Sequence, residues 1–143
     1  MTRYLATVDE VKAGGVLLID ARRLQSYEGG HIPGAVKLDI YEHHWPDTSP
    51  RGVKLFEWQM REVMRRAGVS NSRRVVAYDE DSGMLAARVV WTLDWLGHMD
   101  IRMLDGGIKA WVAAGGVPVH RLALSPGPLP KVCAKVCRAP ISS

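Results

Sequence analysis

The stretch VVAYDEDSGMLAAR, Val75 to Arg88, joins four apolar residues to a polar loop containing a glycine and then to a run with helical spacing. That order reads as a buried strand, a tight loop and a helix start. A short apolar run without polar alternation fits a strand covered on both faces, as in a parallel sheet. Three further runs of similar length lie outward from it: Val16 to Ile19 ended by Asp20, Ala35 to Leu38, and Ile101 to Leu104. Helical patterns separate them. Phe56 to Ala67 places Phe56, Met60, Val63 and Met64 on one side, with Arg61, Arg65 and Arg66 largely opposite and Gly68 as the stop. Met84 to Leu96 carries a stripe of Leu85, Val89, Leu93 and Leu96 that ends at Gly97, with Trp91 and Trp95 expected as packing residues. A last helix, about Ile108 to Ala114, follows Asp105-Gly106-Gly107 and stops at Gly115-Gly116. The sum is an α/β domain built on a parallel sheet.

With 143 residues, 47% of them hydrophobic and 24% charged, the chain has the balance of one folded globular domain. No run approaches the roughly 18 apolar residues needed to cross a bilayer, and the start MTRYLATVDEVKAGG lacks an apolar leader core, so no membrane partner and a cytoplasmic location are expected. The net charge of +4 is mostly arginine, with a group at Arg61, Arg65, Arg66, Arg73 and Arg74. No aromatic residues interleave with that group, so it reads as a solvated face and no nucleic-acid partner is expected. Cys133 and Cys137, the only two cysteines, stand four apart. They imply no disulfide framework and too few ligands for structural zinc, so free thiols are expected and no metal or cofactor. His43 and His44, adjacent before Trp45 and Pro46, offer no better metal site. From Leu124 the chain loses periodicity and gains Pro126, Pro128, Pro130 and Pro140. Residues 1–122 are therefore expected to fold and residues 123–143 to form a linker-like tail.

In open parallel sheets, ligands gather beyond the carboxyl ends of the strands, where helix N-termini favour anions. The loop Asp79-Glu80-Asp81-Ser82-Gly83 and the following Met84 occupy such a place. Several segments then resemble the rhodanese family in the family's order: LLIDAR (17–22), YEGGHIPGAV (27–36), VVAYD (75–79), AAR with Trp91 (86–91), LGH (96–98), and LDGG (104–107) with Trp111 and Gly115-Gly116. They span about residues 5 to 120, and the chain looks most like the N-terminal domain of tandem thiosulfate or 3-mercaptopyruvate sulfurtransferases. The resemblance implies a three-layer fold, with helices on both faces of a central parallel sheet. In active domains of that family a cysteine after the strand carries sulfane sulfur as a persulfide and passes it to a thiophilic acceptor.

Here the aligned residue is Asp79, in a loop that looks about one residue longer than that of a catalytic domain. A carboxylate cannot carry a persulfide, and three acidic groups would repel thiosulfate or a mercapto acid. Asp79 is expected to be structural, accepting N–H bonds from the helix start as an N-cap would. The catalytic set expected for this chain is therefore empty. His31 reads as a hydrogen-bonding turn residue beside Pro33 and Gly34, Asp20 and Arg22 as a candidate pair, and Asp105-Gly106-Gly107 as the device that positions the last helix. The leading expectation is a non-catalytic rhodanese domain, either the N-terminal half of a tandem enzyme or a separate binding module. Its expected partner is a cysteine-bearing rhodanese domain or a second copy of itself, met through an exposed apolar patch. Two rivals remain: an active sulfurtransferase using Cys133 or Cys137, and a magnesium-dependent phosphatase in which Asp79-Glu80-Asp81 imitates the DxD motif of haloacid-dehalogenase-like enzymes.

Overall fold

The computed structural model describes residues 3–120. Five short strands, β1 (Leu5–Ala6), β2 (Leu17–Asp20), β3 (Val36–Lys37), β4 (Val75–Tyr78) and β5 (Ile101–Leu104), form one sheet in the order β1-β5-β4-β2-β3, with every pair parallel. The connections hold α1 (Val8–Lys12), α2 (Leu24–Glu28), α3 (Pro50–Arg66), α4 (Met84–Trp95) and α5 (Gly107–Ala113), with a 3₁₀ turn at Ile40–Glu42. Among the described residues, no helix is long and apolar enough to cross a membrane.

Because successive strand residues point to opposite faces, each central strand feeds two cores. Leu17, Ile19, Val75, Ala77 and Ile101 pack with Met60 and Met64 of α3 and Val89 and Leu93 of α4. Leu18, Val76, Tyr78 and Leu104 pack on the other face with Val11, Ile108 and Trp111. This two-sided burial is why β4, and β2 up to Asp20, read as unbroken apolar runs.

Several boundaries move from the expected ones. α3 begins at Pro50, not Phe56, because the Ser49 hydroxyl accepts the Gly52 N–H at 3.1 Å and Pro50 opens the first turn. β1, α1 and α2 carry too few residues to show periodicity. α1 nevertheless had a readable start: Thr7 and Glu10 form a capping box, with bonds of 2.7 and 3.3 Å. Trp91 is a correction. The helical spacing predicts packing, yet 63% of Trp91 is exposed; it stacks on Trp95 at 6.1 Å and borders an open cavity with Tyr4, Val90 and Met103. The tail at 123–143, with Cys133 and Cys137, lies outside the described residues.

Candidate active-site loop

β4 delivers Asp79 to the carboxyl edge of the sheet, and the loop through Gly83 leads directly into α4. The carboxylate of Asp79 turns inward and is almost wholly buried. Its Oδ1 accepts the N–H of Gly83 at 3.0 Å, and its Oδ2 accepts those of Leu85 at 3.0 Å and Ala86 at 3.2 Å. These are the orphan donors of a helix N-terminus. Asp79 therefore caps α4 from outside the usual position, while Gly83, with φ of +78°, is the N-cap residue and has no side chain to offer. The carboxylate holds the place at which an incoming anion would meet those N–H groups.

The other two acids of the loop point elsewhere. Glu80 Oε2 pairs with Arg22 Nη1 at 3.0 Å, and Asp81 Oδ2 with Lys109 Nζ at 2.7 Å. The expected repulsion of anions is thus reduced, because two of the three carboxylates face a cation. Hydrogen bonding to Asp81 raises the Lys109 ammonium above the usual lysine range. Ser82 accepts the Met84 N–H at 3.4 Å, and Met84 itself points outward. A cavity of about 460 Å³ opens beside the loop, lined by Ala21, Arg23, Asp39, Tyr41, Met84 and Leu85.

Below the loop lies a buried network that the sequence hinted at only through Asp20 and Arg22. Arg22 binds Asp20 with Nε at 3.0 Å and Nη2 at 2.8 Å, and Nη2 also reaches the Gly30 carbonyl at 2.7 Å. Asp20 and Tyr78 are register partners on adjacent strands, so their side chains stand side by side, and the phenol donates to Asp20 Oδ2 at 2.8 Å. The same phenol oxygen accepts the Ile32 N–H at 3.1 Å. Burial pushes the Tyr78 phenol up, and the neighbouring Asp20 carboxylate adds to the shift. Burial opposes the charge on Arg22, but bonding to Asp20, with Glu80 behind it, outweighs that and holds the guanidinium charged. Tyr78 was missed as a polar participant because it closes an apolar run.

The structure also places the remaining candidates. His31 donates from Nδ1 to the Tyr27 carbonyl at 2.9 Å and stacks on the Tyr27 ring at 3.8 Å, so it is a packed turn residue as expected. Gly106 and Gly107 have φ of +79° and +62°, which turns the start of α5 against the loop. The N–H groups of Ile108 and Lys109 bond the carbonyls of Asp79 and Glu80 at 2.9 and 3.2 Å. His43 and His44 join no metal-competent cluster, and no group of three or more His, Cys, Asp or Glu residues suited to a metal occurs among the described residues.

Comparison with known proteins agrees with this layout. A family model described as a rhodanese-like domain matches residues 6–114. The sulfur carrier protein TtuD of Thermus thermophilus is 37% identical over 89 residues, which are 62% of this chain and 30% of that protein. A thiosulfate sulfurtransferase of Pseudomonas aeruginosa is 31% identical over 98 residues, 68% of this chain and 36% of that protein. The chain thus spans roughly a third of the length of the curated relatives it matches. Among solved structures, SseA of Escherichia coli, described with the rhodanese fold and as a 3-mercaptopyruvate sulfotransferase, superposes with a TM-score of 0.68 at 26% identity, covering 84% of this chain and 51% of that one. With its parallel five-stranded sheet, its loop at the head of α4 and this match across most of its length, the chain belongs to the rhodanese family.

Proposed function

We propose that this chain is a non-catalytic rhodanese domain whose loop after β4 has exchanged sulfur transfer for self-capping. The observation that carries it is the Asp79 carboxylate, which accepts the N–H groups of Gly83, Leu85 and Ala86. In a sulfur-carrying domain those donors would face a persulfide and its substrate. Asp79 oxygens cannot take up sulfane sulfur as a thiol does, and their own charge already satisfies the donors. The shares of the relatives' lengths support one of two working arrangements. The chain corresponds to the silent half of a tandem sulfurtransferase, shaping the cleft for a cysteine-bearing twin, or to a separate module that binds such a domain.

The test is a sulfurtransferase assay with thiosulfate as donor and cyanide as acceptor, on the full chain and on Asp79→Cys. Wild type is expected to be inactive, and the variant to gain one sulfur atom by mass after exposure to thiosulfate. Turnover by wild type would overturn the proposal. Loss of that turnover in Cys133→Ser or Cys137→Ser would move the chemistry to the tail.

A further inference from the structure

The fold leaves most of the outer face of α4 exposed, although Arg88 rests on Tyr41 and Trp95 stacks on Phe56. Met84, Ala87, Arg88, Trp91, Asp94 and Trp95 recur at spacings of three and four, and all six are exposed. The inner face of the same helix is Ala86, Val89, Val90 and Leu93, all buried. α4 is thus apolar around most of its circumference, the composition of a helix covered on every side. Its neighbour α3 is not: there Arg61 pairs with Glu57 and Arg65 with Glu62 on the exposed side. Met84 and Trp91 are 67% and 63% exposed, and the aromatic surface continues from Trp91 to Trp95 and, at 5.8 Å, to Phe56. Such a patch marks an interaction surface.

We propose that this face binds the same face of a second copy of the chain, the two α4 helices running antiparallel about a two-fold axis level with Trp91. Arg88 and Asp94 lie three residues to either side of Trp91, and neither makes an ion pair among the described residues. Arg88 instead rests over the Tyr41 ring at 5.0 Å. In an antiparallel pair, Arg88 of each copy stands level with Asp94 of the other. In a parallel pair, each would stand level with its own like-charged twin. The charges therefore select the antiparallel arrangement. Ala87 then stands level with Trp95 of the other copy, small against large, and the two Trp91 rings meet at the axis. The 12 residues of α4 extend about 18 Å. A standard interface covers about 800 Å² per partner, so this dimer is small, weak and dependent on concentration. It does not rest on the catalytic state of the Asp79 loop.

Sedimentation equilibrium of the full chain tests this, run with reductant so that Cys133 and Cys137 do not cross-link, up to concentrations on the order of several hundred micromolar. A monomer–dimer equilibrium is expected, weakened roughly tenfold or more by Trp91→Glu. Arg88→Glu and Asp94→Arg should each dissociate the dimer, while their equimolar mixture and the double variant should restore it. Circular dichroism confirms that each variant is folded, and the two charge variants carry the test if Trp91→Glu is not. A wild type that stays monomeric throughout would overturn the proposal. So would a dimer indifferent to the charge reversals, or a mixture that fails to recover.

Discussion

The α-carbon of Gly107 lies so close to the carbonyl of Asp79 that a β-carbon on it would stand 2.5 Å from that oxygen. The start of α5 is thereby pressed against the loop, and its Ile108 and Lys109 N–H groups satisfy the loop's carbonyls. Gly107→Ala should cost about 2–4 kcal/mol, from the left-handed backbone and the overlap together. Gly14→Ala is the control: φ there is +79° but nothing lies within 4 Å, so it should cost only about 1–2 kcal/mol. Urea unfolding of the two variants compares them directly.

Removing the carboxylate of Asp79 strands three backbone donors at the head of α4. Asp79→Ala should cost about 1–3 kcal/mol, since water can reach some of the freed groups. Amide hydrogen exchange should quicken at Gly83, Leu85 and Ala86 before it does in β4. Unchanged protection at those three amides would show that the cap does not hold the loop.

Tyr78 couples the network to alkaline pH. Its phenol is raised in the folded state by burial and then by Asp20, whereas in the unfolded chain it ionises near pH ~10. The folded state therefore keeps its proton longer, and this contribution is whole below pH ~10 and lost as pH rises beyond it. Tyr78→Phe should flatten that alkaline limb of a stability-versus-pH curve. At neutral pH it should cost about 1–3 kcal/mol, because Asp20 and the Ile32 N–H each lose a partner.

Arg22→Met leaves Asp20 buried with no cation, and a loss of about 3–5 kcal/mol is expected by thermal or chemical unfolding. Asp20→Asn combined with Arg22→Met should recover part of it, since no lone buried charge remains. A double variant as unstable as the single one would assign the cost to lost packing instead of charge.

Much of the scaffold was legible in the chain. β4, β5 and α4 lie within a residue of their expected bounds because apolar run length and helical spacing are properties of sequence neighbours. α1, at five residues, is held by Thr7 and Glu10 and by burial of Val11, so only its capping box could have announced it. Trp91 escaped the same reasoning: an aromatic residue says how much area it can bury, but not whether this chain covers it.

The sequence by itself determined that an acid, not a thiol, follows β4, that the sheet is parallel, and that glycines stand at the turns before α4 and α5. Which way those acids face was decided only in three dimensions. Asp79 turns inward because the helix start presents free N–H groups to it. Glu80 turns to Arg22 across 58 positions of sequence and Asp81 to Lys109 across 28. Charge is written locally, but the partner that satisfies it comes from whatever the folded sheet brings alongside.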